Sequence, residues 1–314
     1  MSYYADIKDL VFTIFTPTFN RAHVLPRAYE SLKRQTFKQF EWLIVDDGST
    51  DDTKTVVKRW IEEDQIPIRY IQQVHGHKKK AHNRAVKEAR GQFLLVLDSD
   101  DELLPNSLEV FYRAWMDIPE TLRQKFYGVC GLCVDSHGRV VGDRFPEDTV
   151  YSNSLEMFYR FKVGGEKFGF GRVDILRNYP FPEDVNGYVP ENVVWHRIAE
   201  RYQTCFINQV VRVYHHDVES ITRPRDRLQN IRRHAEGHAL LARETLDHEL
   251  SYFRYRPFWF LKMAANYTRF HLHLRRINYN KKYELRKRLS FILVIIMYPI
   301  GWLLYVLDSL NQKK

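Results

Sequence analysis

Asp98, Asp100 and Asp101 follow directly on five apolar residues, Phe93-Leu94-Leu95-Val96-Leu97. Such a run reads as a strand buried on both faces, as in a parallel sheet, with the carboxylates standing where the strand leaves the core. In open α/β sheets, ligands bind in the crevice beyond the carboxyl ends of the strands. Carboxylates two residues apart in an irregular turn can approach one hard divalent cation, which takes oxygen ligands and usually carries substrate phosphates as well. The chemistry indicated is nucleotide binding through a cation. The same residues also fit a plain acidic turn ahead of a helix starting near Pro105.

The elements that position this turn form a repeating pattern. Residues 11–16 are a short β-rich run closed by Pro17-Thr18-Phe19-Asn20-Arg21, and a helix follows over about 24–35. Residues 40–45 form a second strand ending in Asp46-Asp47-Gly48-Ser49-Thr50-Asp51-Asp52, before a helix over 53–63. A third strand at 66–72, a basic loop at 75–80 and a helix at 81–89, stopped by Gly91, lead into the strand at 93. Alternating β and α elements of these lengths imply right-handed crossovers and a parallel sheet with its polar turns on one edge. Further on, residues 127–134 read as a buried strand. Its Cys130 and Cys133 have no second pair of ligands at metal-site spacing, so the expectation is reduced core thiols.

Four of these segments resemble the successive motifs of family 2 glycosyltransferases with a GT-A fold. They are Phe15-Thr16-Pro17-Thr18-Phe19-Asn20-Arg21, Val45-Asp46-Asp47-Gly48-Ser49-Thr50-Asp51, Ala81-His82-Asn83-Arg84-Ala85 and Leu97-Asp98-Ser99-Asp100-Asp101. The resemblance covers roughly residues 10–105. It implies an α/β Rossmann-like nucleotide-diphospho-sugar transferase domain, a nucleotide-sugar donor such as a UDP-sugar, Mg2+ or Mn2+, and inversion at the anomeric carbon. By similarity, Thr16, Pro17, Thr18 and Asn20 line the nucleotide pocket, with Asn83 and Ser99 beside it. Asp46 contacts the base, and Asp98 and Asp100 are the ends of the DxD motif. The third motif departs from the family's usual Ala-Arg-Asn-x-Gly, because His82 and Ala85 stand where Arg and Gly are expected. The phosphate contact then falls to Lys79 or Lys80. Asp46 also fits a turn or helix-capping role before Thr53.

An inverting transfer needs a carboxylate within hydrogen-bond reach of the attacking hydroxyl. The family places an acidic pair at the start of a helix at this distance beyond the DxD, and Glu191 opens such a segment at 191–198, with Asn192 in place of the second acid and Trp195 on the acceptor side. Glu191 is the preferred base and Glu183-Asp184 the competitor; an ordinary helix-terminal acid is the plain alternative. The stretch Gly164-Gly165-Glu166-Lys167-Phe168-Gly169-Phe170-Gly171-Arg172 reads as a glycine-rich loop in which Phe168, Phe170 and Arg172 touch the acceptor, or else as a bulged hairpin. His215 or His216 is a candidate third metal ligand.

The formal charge of +9 on 314 residues does not point to nucleic acid once it is located. Residues 254–288 hold eleven Lys and Arg against the single acid Glu284, so this segment carries +10 and the rest of the chain −1. Directly after it, residues 290–307 contain no charge, a run just long enough to span a bilayer core of about 30 Å but interrupted by Pro299 and Gly301. The expected organisation is a catalytic domain over 1–225, with a donor half at 10–105 and an acceptor half at 106–225. A basic amphipathic segment at 226–289 and an apolar membrane anchor at 290–307 follow. The positive flank implies an anionic leaflet on the cytoplasmic face of the cell membrane, and a polar N-terminus implies no secretion signal. The function expected is sugar transfer to a glycan or lipid-linked acceptor in cell-surface polysaccharide synthesis. A homo-oligomer built through the C-terminal helix, a nucleotidyltransferase and an inactive carbohydrate- or membrane-binding relative are the alternatives.

Overall fold

The computed structural model describes residues 10–215, 234–276 and 283–310. The chain divides into two compact units, Met1–Phe181 with Ile198–Val218, and Pro182–Arg197 with Glu219–Lys314.

The first unit is built on one mixed sheet. The donor half supplies β1 (Phe12–Thr18), β2 (Phe40–Asp46), β3 (Ile68–Gln72) and β4 (Phe93–Val96), linked by α1 (Leu25–Lys33), α2 (Thr53–Glu63) and α3 (His77–Glu88). β1 pairs in parallel with both β2 and β4, and β2 with β3. Parallel pairing follows from burial on both faces: every residue of β2 is buried, and its Trp42 and Ile44 pack with Phe12, Ile14 and Phe93 in the main core. Tyr29 of α1 stacks on Trp60 of α2 with ring centroids 4.3 Å apart, closing one helical layer over the sheet.

The residues beyond 101 add strands that run in both directions. After β5 (Glu102–Leu103), α4 (Ser107–Met116) and α5 (Glu120–Arg123) come β6 (Phe126–Val134), β7 (Thr149–Ser152), α6 (Ser154–Tyr159), β8 (Lys167–Arg172), α7 (Val173–Leu176) and β9 (Gln203–Val213). Among the described residues the sheet runs β3-β2-β1-β4-β8-β6-β9-β5, with β7 paired to β9. From Lys167 onward the glycine-rich stretch is therefore a central strand and not a ligand loop. Its Gly169 is required by close approach, since a Cβ there would lie 2.2 Å from the Val129 carbonyl oxygen, and on the partner strand β6 a Cβ on Gly128 would lie 1.8 Å from the Phe170 carbonyl oxygen. Gly128→Ala should accordingly lower the midpoint of thermal unfolding by well over the ~2–4 °C that accompanies about 1 kcal/mol in a unit of this size; scanning calorimetry on the variant tests this. Cys130 and Cys133 are free thiols, as expected, and burial pushes Cys130 up to about 12 and Cys133 up to about 11.

The second unit is helical. α9 (Ala235–His248), α10 (Pro257–Arg276) and α11 (Arg288–Leu310) are its long elements among the described residues. Segment Pro182–Arg197 is tied to α9 by polar contacts. Glu236 Oε2 accepts from the Asn186 backbone N–H at 2.8 Å and its side-chain amide at 3.0 Å, and His196 Nδ1 lies 2.9 Å from Glu249 Oε1.

Candidate active site

At the carboxyl edge of β4 the acidic turn is surrounded by cations. Lys78 Nζ lies 2.8 Å from Asp98 Oδ1, Arg21 Nη1 4.0 Å from Asp100 Oδ2, and Arg27 Nη1 donates to the Asp100 carbonyl at 2.6 Å. Burial alone would push the Asp98 carboxyl up, but Lys78, reinforced by Arg212 and Arg21, holds it below the usual range. Its side chain remains 39% exposed. Asp101 is different in kind. It is 1% exposed, its Oδ2 lies 3.2 Å from Arg212 Nη1, and its Oδ1 accepts from the His215 backbone N–H at 3.2 Å. Burial outweighs that arginine and lifts the carboxyl to about 7. Asp101 thus ties the turn to the end of β9, while Asp98 and Asp100 face outward.

The residues present fit a divalent cation of the Mg2+ or Mn2+ kind. Two oxygen donors on one turn are what such ions usually take from protein when phosphates and water complete the shell. No group of three His, Cys, Asp or Glu gathers as a ready-made metal site among the described residues. His215, expected as a third ligand, has its Nε2 3.0 Å from Glu102 Oε1. His216 lies outside the described residues.

The other strand ends are cross-linked loops. Asn20 adopts a left-handed backbone conformation, φ 55°, and its Oδ1 accepts from the Thr50 backbone N–H at 2.8 Å while its own N–H donates to Ser49 Oγ. Asp46 is fully buried: Oδ1 accepts from Ser49 N–H at 2.8 Å and Oδ2 from the Tyr70 hydroxyl. Asp46 thereby organises its turn and joins it to β3. Asp47 holds the 73–77 loop, accepting from Gln73 Nε2 and from the backbone N–H groups of Gly76 and His77. Thr16 accepts from the Trp42 indole at 2.9 Å, and Pro17 and Thr18 complete the end of β1. The Asn83 amide forms a reciprocal pair with the Phe181 backbone at 2.8 and 2.9 Å. Ser99 is buried within the acidic turn.

Several expected contacts are corrected. Phe168 and Phe170, 4% and 3% exposed, belong to the core and meet Phe111, Phe93 and Trp115 instead of a sugar. Arg172 pairs opposite Phe93, the first residue of β4, so it lies at the edge of the sheet away from Asp98, bound to Asp174. Lys79 is buried and Lys80 exposed, whereas Lys78, absent from the expected site, reaches the carboxylates. The helix starts at His77, four residues earlier than expected, which puts Lys78 in its first turn. In the second unit, Glu191 immediately precedes α8 (Asn192–Ala199), and Trp195 Nε1 donates to its Oε2 at 3.4 Å. Glu183 and Asp184 are exposed.

Comparison with known proteins agrees with this architecture. The structure superposes on Staphylococcus aureus TarS 1-349 solved with UDP-GlcNAc, with a TM-score of 0.58 at 19% identity, covering 97% of this chain and 93% of that one. The fold is therefore the GT-A-like one. Residues 13–131 match the family described as Glycosyl transferase family 2. The Campylobacter jejuni GalNAc(5)-diNAcBac-PP-undecaprenol beta-1,3-glucosyltransferase is 29% identical over 213 residues, 64% of this chain and 63% of the relative. The S. aureus poly(ribitol-phosphate) beta-N-acetylglucosaminyltransferase TarS is 32% identical over 100 residues, 31% of this chain and 18% of the relative. The chain thus spans less than two thirds of the length of these curated relatives.

Proposed function

We propose that the chain is a metal-dependent inverting glycosyltransferase that moves a sugar from a UDP-sugar to a hydroxyl of a glycan or lipid-linked acceptor at the cytoplasmic face of a membrane, in the synthesis of a surface polysaccharide. The observation that carries this reading is the outward pair Asp98 and Asp100 at the carboxyl edge of β4, held by Lys78 and Arg21. Asp98 and Asp100 would hold Mg2+ or Mn2+, and a bound ion offsets charge developing on the departing diphosphate. In exchange, Lys78 and Arg21 turn from the carboxylates to the phosphate oxygens and keep the site near neutrality. Glu191 takes the proton of the acceptor hydroxyl as its oxygen bonds to the anomeric carbon; the bond from that carbon to the diphosphate oxygen breaks, and the electron pair leaves with the nucleoside diphosphate. The relatives named for undecaprenol-linked and poly(ribitol-phosphate) acceptors support the acceptor class, as does the apolar helix Arg288–Leu310 for the membrane.

Purified full-length chain with Mn2+ and a panel of nucleotide sugars tests the reading. The expected product is free UDP, formed with one donor above the others and lost with a chelator. Release of inorganic diphosphate would instead make the chain a nucleotidyltransferase, and no turnover of any donor with any glycan or polyprenyl acceptor would leave it a binding protein.

A further inference from the structure

We infer that helix α11 holds the chain on an anionic membrane by lying in the lipid interface with one face immersed, and that it does not cross the bilayer. The inference rests on the membrane reading above and fixes its geometry.

One side of α11 is covered by protein from end to end. Near its start the Ser290 hydroxyl donates to the Leu246 carbonyl of α9 at 2.8 Å. At its middle, Gly301 meets α10 so closely that a Cβ would stand 2.5 Å from the Ala265 carbonyl oxygen. Near its end, Asp308 accepts from Arg269 Nε at 2.6 Å and Nη2 at 2.5 Å, and lies 2.9 Å from His273 Nε2. Ser290, Leu293, Gly301 and Asp308 are the buried residues of the helix and recur at helical spacing along one stripe.

The opposite face is apolar throughout. Ile292, Ile295, Ile296, Trp302, Leu303 and Leu307 are 47% to 68% exposed. Only 17% of the most apolar 18-residue window is buried, so this is not the core helix of a globular unit. In water such a face would be polar. At about 1.5 Å per residue the helix is about 34 Å long, which by itself would also suit a span. Its neighbour decides between the two. Crossing the bilayer would carry α10 in alongside it, with Lys262, Arg269, His271, His273, Arg275 and Arg276, and charged side chains inside the hydrocarbon are expensive and rare. Lying flat leaves α10 on the aqueous side and immerses only the outer face, to about 5–10 Å. Arg286, Lys287 and Arg288 are exposed at the start of the helix, placing cations for anionic headgroups there. Tyr298 and Trp302 on the exposed surface suit the headgroup boundary.

Topology mapping separates the outcomes. Single reporter cysteines are placed at Lys314 and at Glu62, an exposed position of α2, in full-length chain expressed in a bacterial host, with the parent chain as background. An impermeant maleimide should label both in inside-out vesicles and neither in right-side-out vesicles, and alkaline carbonate should strip the protein from the membrane. Labelling of the two positions from opposite sides, with resistance to carbonate, would overturn the flat placement and leave the membrane reading intact. Full-length protein recovered as a soluble oligomer at low salt without detergent would overturn both. As a second arm, Ile295→Asp with Leu303→Asp alters only the outer face. It should cut binding to vesicles of phosphatidylglycerol and phosphatidylethanolamine by about tenfold or more while the circular dichroism stays that of the parent. Unchanged vesicle binding by this variant would also overturn the placement.

Discussion

Glu191→Gln is expected to leave nucleotide binding unchanged and to cut sugar transfer by about a hundredfold to ten-thousandfold, the range a positioned base supplies. Glutamine keeps the shape of the side chain and loses its capacity to take a proton. The helix should survive the change, since the Glu191 contribution to its first turn is a backbone carbonyl that accepts from the Val194 and Trp195 N–H groups. Trp195 Nε1 can still donate to an amide oxygen. The comparison variant is Glu183→Gln, at an exposed position. Steady-state transfer with a fixed donor and titrated acceptor, beside calorimetric titration of UDP, reads both quantities. If Glu183→Gln loses transfer and Glu191→Gln retains it, the base is misassigned.

Asp100→Ala should abolish the gain in nucleoside diphosphate affinity that Mn2+ confers and lower turnover by about a hundredfold or more. The loss is expected to be local. Arg27 grips the carbonyl of residue 100, which alanine retains, and Asp101 keeps its bond to Arg212, so the turn holds its course while one oxygen donor disappears. Arg21 and Lys78 remain beside the site in this variant, so some metal-independent affinity for phosphate should remain. Calorimetric titration of UDP with and without Mn2+ distinguishes these effects. A variant that still tightens with Mn2+ as the parent does would remove Asp100 from the metal site.

The donor half was legible because each of its strands is buried on both faces and each ends in a polar turn, a pattern that local composition carries. What local composition does not carry is the tertiary partner. Asp46 is buried by Tyr70, a contact twenty-four residues away that no motif announces. The lysine that reaches Asp98 depended on where α3 begins, and a four-residue error there changed which side chain faced the turn. The error at residues 164–172 had a visible warning. Phe168-Gly169-Phe170-Gly171 alternates with the period of a strand, large side chains to one face and none to the other, and glycine was read as looseness where it answers crowding. In the C-terminal segment the apolar run was plain, but Ser290, Gly301 and Asp308, which look like interruptions of an anchor, are the stripe that holds it to protein.

The position of β8 sets the order in which the first unit can be completed during synthesis. β4 has β1 on one side, already made when it emerges, and β8 on the other, about 70 residues further along the chain. At translation rates of about 5–20 residues per second, a nascent chain therefore holds an open apolar strand edge for some seconds, with the acidic turn at its end. The matched segment 13–131 stops inside β6 and before β8, so it marks a stretch of shared ancestry and not a piece that could close its own sheet. The free edge of β4 is covered only once β8 has been made, which couples the maturation of the two parts of the sheet.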